Sequence, residues 1–393
     1  MNKALPSRGF VFWPVGTGDS TTVVIREQQT IMQIDLHDKS ECDSEKYTPI
    51  VDRLKALLPK RNGRPFLSVF VLTHPDQDHT KGLTRLLKEV DIDEIWHTPR
   101  IFREYEKNNQ LCDDAIAFRK ECNRRREITI AKGGKTEVGE RVRIIGHDSL
   151  FETDAKYKTF PKEWRSSPGT SITKFNNEDL SSHCHVFIHA PFKDTCEEDR
   201  NESSLAMQIK LLHNQQELKG LFFGDLSYFT LKRILGKTRA KNENHQFLEW
   251  HVFQAPHHCS KYAMYDRVDK EDVLQTEPEI LAEFEKHQLT PAYVLASCEA
   301  SFTDEPGMNP PHLKARSRYE EIVESGNFIC THEYCNKDNL ERVEFHLSDK
   351  GIVLEASTQQ NSVGLGNIGK GIGAAAVESI RRSTPSAHTG YGI

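Results

Sequence analysis

The segment His74–His79 reads His-Pro-Asp-Gln-Asp-His and places four potential metal ligands within six positions. It directly follows the apolar run from Phe66 to Leu72. A short run rich in Val and Phe that ends in polar residues is typical of a buried strand. The pattern therefore predicts a strand that presents the ligands on a loop at its carboxyl end.

Imidazole nitrogens and carboxylate oxygens suit Zn²⁺, Mn²⁺ and Fe, and two ligand pairs this close together favour two neighbouring ions over one. The plainer interpretation is a polar turn, in which the histidines form local hydrogen bonds and the aspartates cap a helix over Thr80–Val90. Ligand-type residues elsewhere in the chain favour the metal site.

Two further predicted strands end in ligand-type residues. The apolar stretch Leu221–Phe223 runs into Gly-Asp, which places Asp225 where a carboxylate could bridge two ions. The stretch Trp250–Gln254 is followed by Ala-Pro-His-His. We prefer His258 as the ligand, with His257 as the alternative, and either could instead be a structural hydrogen-bonding residue.

Together these motifs resemble those of the metallo-β-lactamase-fold hydrolases, and within them the branch related to the hydrolase domain of the DNA-uptake protein ComEC. The resemblance spans most of residues 8–350, in the family's order. Its segments are the hairpin turn Gly16–Ser20, the strand that ends at Asp35, the His-x-Asp-x-Asp-His motif His74–His79, the Asn-Asn-Ser-Leu-like segment Asn201–Leu205, Gly224-Asp225, and Pro256–Ser260, which is similar to Pro-His-His-Gly-Ser.

The resemblance implies an α/β fold, a metallo-β-lactamase-like αββα sandwich of two packed mixed sheets with helices on the outer faces. Strands alternate with helical patterns along the chain, as this fold requires, and the last predicted strand is Ala292–Ser297. We expect one hydrolase domain over 1–355, with a charged helical insertion over 101–132. The arginines of that insertion, Arg124–Arg126, are expected on a solvated helix face. Residues 356–393 are rich in Gly, Ser and Ala, which predicts a flexible tail with room for a partner-binding element.

Two departures from the family pattern concern the site. Cys259 stands where the branch usually has Gly, so the backbone loses easy access to positive φ and a thiol enters the site's neighbourhood. Many family members also have a further histidine before the bridging aspartate. His183, His185 and His189 lie in that interval, but the alignment through Asn201 puts them outside the expected position.

The predicted site contains two divalent metal ions, Zn or Mn. His74 and Asp76 are assigned to one ion, and Asp225 to both. The other ion is assigned Asp78, His79 and His258. Catalysis is assigned to Asp78, Asp225 and His258, and substrate binding to His257, Asn201, Ser203 and His312. The alternative for His312 is a surface histidine beside two prolines.

These ligands predict a hydrolase in which a water that bridges the two cations is activated as hydroxide. Asp76 adds a hard oxygen donor, which moves the metal preference toward Mn²⁺. Two adjacent cations suit in-line displacement at phosphorus, so the leading prediction is a phosphodiesterase or nuclease that acts on nucleic acid or a nucleotide. A carbonyl hydrolase of lactams, lactones or thioesters is one alternative. A metal-stabilised, non-catalytic sensor or scaffold that binds a protein through the tail is the other.

Composition limits these interpretations. A formal net charge of −6 and a pI near 6.3 do not predict tight non-specific binding to a nucleic-acid backbone. The sequence has no long apolar stretch or signal-peptide pattern, and its nine cysteines are scattered, so we expect a cytoplasmic protein with reduced thiols and no membrane partner. Cys330 and Cys335 flank His332, which leaves a structural zinc as a minor alternative.

Overall fold

The computed structural model describes residues 4–43, 47–102, 111–192, 201–267, 274–276, 278–334 and 340–355. The strands are β1 (Gly9–Phe12), β2 (Thr21–Arg26), β3 (Thr30–Ile34), β4 (Lys60–Arg61), β5 (Arg64–Val71), β6 (Asp91–His97), β7 (Arg141–Ile145), β8 (Arg165–Ser166), β9 (Ser171–Ile172), β10 (Lys174–Phe175), β11 (Glu178–Asp179), β12 (Cys184–Ala190), β13 (Ala206–His213), β14 (Gln216–Phe222), β15 (Trp250–Gln254), β16 (Tyr265–Arg267), β17 (Leu274–Thr276), β18 (Gln288–Ala296), β19 (Phe328–Cys330), β20 (Val343–Ser348) and β21 (Gly351–Leu354).

The helices lie in the connections between strands. They are α1 (Ile50–Leu57), α2 (Gln77–Thr80), α3 (Leu83–Glu89), α4 (Asp113–Ala131), α5 (Asp148–Thr153), α6 (Tyr228–Arg239), α7 (Pro278–Lys286) and α8 (Leu313–Glu321). Short 3₁₀ turns occur at Lys162–Trp164, Asn201–Ser203, Asn242–Phe247 and Lys261–Ala263, and a further single turn spans Pro256–Cys259.

Two large mixed sheets form the centre of the molecule. The first has the order β21-β20-β1-β2-β3-β5-β6-β7-β8, with β4 paired to β5, and it is parallel from β3 to β8. The second has the order β19-β18-β15-β14-β13-β12-β9 and is parallel from β14 to β19. Because the carboxyl ends of parallel strands lie at one edge of a sheet, each sheet gathers several loop residues at that edge.

The two sheets pack face to face through alternating side chains. Phe10 and Phe12 of β1 belong to the apolar cluster between the sheets, whereas Val11 belongs to the cluster on the outer side of the first sheet. The rings of Phe10 and Phe222 meet edge to face with centroids 5.6 Å apart, and Phe12 stacks on Phe222 at 6.1 Å. Alternate side chains of β1 therefore pack on opposite faces of the first sheet.

Helices cover both outer faces of this sandwich. Phe70 of the first sheet shares a buried cluster with Leu54 of α1, Leu86 of α3 and Phe118 of α4. On the second sheet, side chains of β15 and β18 pack with residues of α6, α7 and α8, among them Ile234, Phe284 and Tyr319. The layers are helix, sheet, sheet and helix, so the predicted αββα sandwich is confirmed.

The helix predicted over Thr80–Val90 is interrupted. Gly82 separates α2 from α3 with φ 95°, and a Cβ there would lie 2.5 Å from the Cβ of Asp38. Only glycine accepts both the left-handed conformation and the close approach, so α2 is a single turn that carries the end of the His74–His79 motif.

Strands after Ala296 were missed by the prediction. β20 pairs with β1 in antiparallel register, with Gly9 opposite His346, and thereby completes the first sheet. The alternation of Val343, Phe345 and Leu347 with polar residues was the available signal. Because β20 pairs with the start of the chain, local turn signals do not reveal its partner.

The charged insertion over 101–132 contains α4, which packs on the first sheet. The prediction of a solvated arginine face holds for Arg124, whose side chain is 49% exposed and pairs with Glu121. It is wrong for Arg125, whose side chain is 4% exposed and donates to the carbonyls of Ile92 and Arg141 at 2.9 and 3.1 Å. Carbonyl groups at the edge of the sheet therefore replace water around this guanidinium.

The remaining organisation of the chain is only partly described. The predicted tail over 356–393 lies outside the described residues, and its role stays a prediction. Within the described ranges, no helix combines the length and apolar character needed to cross a bilayer.

A substitution at Gly220 tests how closely the two sheets pack against each other. A Cβ at Gly220 would lie 2.8 Å from the ring of Phe222 and 2.9 Å from the ring of Phe10 on the facing sheet. We expect Gly220→Ala to lower the free energy of unfolding by about 1–3 kcal/mol, the usual cost of overpacking. Chemical denaturation followed by circular dichroism measures the change.

The matched control is Gly236→Ala in α6, where an added Cβ meets no atom within 4 Å. It should raise stability by about 0.5–1 kcal/mol, because Ala loses less conformational freedom than Gly in a helix. Equal stability of the two variants would contradict the close packing at Gly220.

Candidate metal centre

The site lies where loops from both sheets meet. The loop after β5 carries His74–His79, the end of β14 leads to Asp225, and the end of β15 leads to the Pro256–Cys259 turn. The amide of Leu205 donates to the carbonyl of Thr73 at 3.0 Å, and the amide of His257 donates to the carbonyl of Gly224 at 3.0 Å. Backbone hydrogen bonds thus join the loops that carry the candidate ligands.

The buried carboxylate of Asp225 is central to the site. Its Oδ2 lies 3.3 Å from Nε2 of His74 and 3.5 Å from Nε2 of His258, whereas its Oδ1 lies 3.3 Å from Nε2 of His79. The two oxygens therefore face different imidazoles. The sequence predicted a carboxylate shared between two ions at this position, and that role stays a prediction.

His79 and His258 approach each other closely. Their Nε2 atoms are 3.2 Å apart, and the Nε2 of His258 also lies 3.1 Å from Oδ2 of Asp78. Two imidazole lone pairs cannot face each other at this distance without a proton or another cation between them. The donor geometry therefore fits a positively charged group at this point.

Two carboxylates face the opposite nitrogens of these rings. Asp35 accepts from the amide and hydroxyl of Thr73 at 2.8 and 2.6 Å, and its Oδ2 lies 2.8 Å from Nδ1 of His79. Asp19 lies 3.5 Å from Nδ1 of His258. A carboxylate at Nδ1 fixes the tautomer that leaves Nε2 available as a ligand.

Sequence reasoning did not assign Asp19 to the site. It lies in the turn between β1 and β2, and its amide donates to the carbonyl of Asp78 at 3.1 Å, which brings the turn against the ligand loop. The Gly-Asp-Ser turn was noticed only as part of the family resemblance. Its position just before a strand does not indicate which histidine it would meet.

The charges of the cluster balance one another in the metal-free chain. Burial by itself would lower the pKa of His79 and His258, but nearby carboxylates outweigh it and raise both pKa values well above the usual range. Burial would raise the pKa of Asp225, but four surrounding histidines lower it well below its usual range. Carboxylates and imidazoles therefore stabilise one another's charged forms within this buried cluster.

Two overlapping groups of donor atoms are close enough to hold metal ions. One contains Asp19, His79, Asp225 and His258, and the other contains His74, Asp78 and His79. Buried donor atoms with no hydrogen-bond partner include Nε2 of His74 and Oδ1 of Asp225, which fits ligands intended for a cation. Nitrogen and carboxylate donors in this mixture suit Zn²⁺ or Mn²⁺.

This grouping differs from the predicted division of ligands. His79 is common to both groups, whereas Asp76 belongs to neither within the part of the chain that the structure describes. Asp76 does line the same cleft, and its negative charge acts on His74 to raise the pKa of that ring. The assignment of each residue to one ion stays a prediction.

The turn that carries His258 has an unusual backbone. His257, His258 and Cys259 have φ values of 48°, 53° and 67°, all in the left-handed region. A non-glycine residue there costs about 1–2 kcal/mol, so Cys259 occupies the conformation that the family's glycine would take more easily. Its carbonyl accepts from the amide of His312 at 3.1 Å, which helps to hold the turn.

The candidate substrate residues are distributed around and behind a cleft of about 860 Å³. His257 and Asn201 line this cleft. Ser203 is buried in the same 3₁₀ turn as Asn201 and does not line the cleft. Of these three residues, His257 and Asn201 lie at the cleft, and their role in substrate binding stays a prediction.

His312 is fully buried rather than exposed to a substrate. Its Nδ1 accepts from the amide of Lys261 at 3.2 Å, so the proton on Nε2 is directed to the carbonyl of Met308 at 3.3 Å. Both ring nitrogens therefore contact backbone groups. The predicted phosphate contact does not agree with this placement, and His312 instead joins the turn at Cys259 to the segment at Met308.

Other histidines and cysteines lie away from the ligand cluster. Nε2 of His189 bonds to the carbonyl of Phe247 at 3.0 Å, which agrees with leaving His189 out of the predicted site. His332 accepts from the amide of Gly16 at 2.7 Å and so supports the turn before Asp19. Cys335 lies outside the described residues, so the alternative zinc site there is not addressed by the structure.

Comparisons with known proteins give a likeness of fold alone. No family model matches the chain, and no curated protein matches it. Among solved structures, the metallo-β-lactamase fold protein YhfI from Bacillus subtilis is 11% identical, with 82% of this chain and 96% of that chain covered and a TM-score of 0.36. The metallo-β-lactamase SMB-1 bound to 2-mercaptoethanesulfonate is 11% identical, with 72% and 95% covered and a TM-score of 0.33. The metallo-β-lactamase GOB-18 from Elizabethkingia meningoseptica is 12% identical, with 64% and 76% covered and a TM-score of 0.28.

Removal of the central carboxylate tests the metal centre. We expect Asp225→Ala to lose most of the bound metal, because its two oxygens face separate imidazoles, while His257→Ala retains most of it. Inductively coupled plasma mass spectrometry after dialysis measures ions per chain, for which about two are expected in the parent. Unchanged metal content in Asp225→Ala, with folding verified by circular dichroism, would contradict the proposed centre.

The raised pKa values of His79 and His258 predict a pH dependence for metal binding. The surrounding carboxylates favour the protonated form of these rings, and a ring must lose its Nε2 proton to become a ligand, so affinity should rise as pH rises through neutrality. Each displaced proton contributes about tenfold per pH unit. Competition against a chromogenic chelator at about pH 6 and about pH 8 measures the change, and equal affinity at both values would refute proton displacement.

Proposed function

We propose that the chain is a metal-dependent hydrolase of phosphodiesters, a phosphodiesterase or nuclease of the ComEC-like branch of the metallo-β-lactamase fold. The observation that carries the proposal is the buried carboxylate of Asp225, whose Oδ2 faces His74 and His258 and whose Oδ1 faces His79, at 3.3–3.5 Å. Such a carboxylate is suited to hold two cations side by side. Zn²⁺ or Mn²⁺ ions, when bound, would lower the pKa of a water molecule and stabilise negative charge on substrate oxygens.

The donor set favours phosphorus over carbonyl carbon as the reacting centre. Asp78 and Asp225 contribute hard oxygen donors, and Asp76 lines the same cleft. Hard donors favour cations that bind phosphate oxygens well. In-line displacement at phosphorus also uses two adjacent cations, because the attacking and the leaving oxygen both carry negative charge.

The position of His257 in the cleft supports a role in substrate contact. Its side chain is partly exposed in the cleft, and its Nε2 lies 3.6 Å from Oδ2 of Asp225. Burial lowers the pKa of this imidazole, which keeps it neutral at physiological pH. A neutral ring can donate a hydrogen bond to a substrate oxygen or accept a proton. The amide of Asn201, which lines the same cleft, offers a further hydrogen-bonding group.

The test compares two reaction classes under identical metal loading. The full chain is stripped of metal, reconstituted with Mn²⁺ or Zn²⁺, and assayed with bis(p-nitrophenyl) phosphate and with a chromogenic β-lactam. We expect metal-dependent hydrolysis of the phosphodiester, and a loss of at least about 100-fold in Asp225→Ala, because a whole cation site is disturbed.

The alternatives give different outcomes in the same assay. Lactam cleavage without phosphodiester turnover would identify a carbonyl hydrolase. Bound metal with no turnover of lactam, lactone, thioester or phosphodiester would favour the non-catalytic sensor or scaffold. Gly236→Ala is the matched control, because its site in α6 lies away from the donor cluster, and it should keep the parent's activity.

A further inference from the structure

The cleft beside the donor cluster has an apolar part in addition to its polar one. The donors Asp225, His257 and His258 line the cleft together with a segment that includes Met308, Pro310 and Pro311. Pro75, within the ligand loop itself, lines it as well. A ligand held at the donor cluster would therefore have apolar side chains within the same cleft.

Met308 is conspicuously exposed for an apolar residue. The residue is 51% exposed, and it lines the cleft, whereas the other large hydrophobic residues with comparable exposure in the described part of the chain, Val138, Phe229, Leu313 and Val353, do not. Burial of apolar surface is favourable, and the flexible, polarizable methionine side chain adapts to flat aromatic groups. Met308 thus offers contact area that a bound ligand can cover.

The backbone of this segment is held in place relative to the donors. The amide of Thr303 donates to the carbonyl of Pro311 at 3.1 Å and closes the segment at its base. His312 receives a hydrogen bond from Lys261, donates one to the carbonyl of Met308, and through its own amide bonds to the carbonyl of Cys259. Met308 is therefore connected by two hydrogen bonds to the residue that follows His258.

We propose that Met308, Pro310, Pro311 and Pro75 form a subsite for a planar aromatic group attached to the substrate phosphate. The substrate class is then a phosphodiester that carries a nucleobase or another aryl group, and the inference rests on the proposed phosphodiesterase function. A fixed apolar wall beside the donors recognises the aromatic group, while the donors and His257 recognise the phosphate. His312 acts as a positioning residue for this wall.

The experiment measures binding rather than turnover. The full Mn²⁺-loaded chain is titrated by calorimetry with methyl phosphate, phenyl phosphate and thymidine 5′-monophosphate, which share the phosphate and differ in the attached group. We expect an aromatic ligand to bind about five- to tenfold more tightly than methyl phosphate, as the partial burial of a methionine and a ring implies. A preference for both aromatic ligands indicates a general aryl subsite, and one for the nucleotide alone indicates a nucleoside subsite.

Met308→Ser should abolish this preference and leave the affinity for methyl phosphate unchanged. Val138→Ser is the matched control, since Val138 is similarly exposed but does not line the cleft, and it should leave all three affinities unchanged. Equal affinity of the parent for the three ligands, or a preference that persists in Met308→Ser, overturns the subsite. Failure of the parent to bind any of them would instead count against the proposed function itself.

Discussion

The balance of charge around Asp225 is the constraint on which the site depends. A carboxylate buried among apolar sheets is costly unless positive charge lies beside it. Here the imidazoles of His74, His79 and His258 surround it at 3.3–3.5 Å. Either protons on the imidazoles or bound cations can satisfy that requirement.

Two further carboxylates hold the imidazole rings in position, because each faces the Nδ1 atom of one ring. Asp35 contacts His79 and is itself held by Thr73, while Asp19 faces His258. These carboxylates come from the first sheet, whereas Asp225 and His258 come from the second. The site therefore depends on the two sheets keeping their relative position, and the tight contact at Gly220 and Phe10 contributes to that.

The sequence predicted the parts of the molecule that rest on local pattern. Apolar runs ending in His, Asp or Gly-Asp correctly indicated strands that carry their ligand-type residues to one edge, and alternation along β1 matches its two packed faces. Contacts between distant segments were not predictable. Nothing near Asp19 indicates that it meets His258, and nothing near His312 indicates that Met308 and Lys261 occupy both of its nitrogens. The pairing of Arg125 with Glu121 is visible in the i,i+4 spacing, but its burial against the carbonyl groups of Ile92 and Arg141 has no signature in the sequence.

The pairing of β20 with β1 bears on how such a chain is made. Gly9 and its partner His346 are more than three hundred residues apart along the chain, and Gly9 is made first. Until then one edge of β1 presents unpaired amides and carbonyls, a template for wrong pairing with other strands. Bringing such distant ends together also slows folding, because the entropy of loop closure must be overcome first. The first sheet is thus completed only after β20 has been made, and until then the open edge of β1 is exposed to wrong pairing.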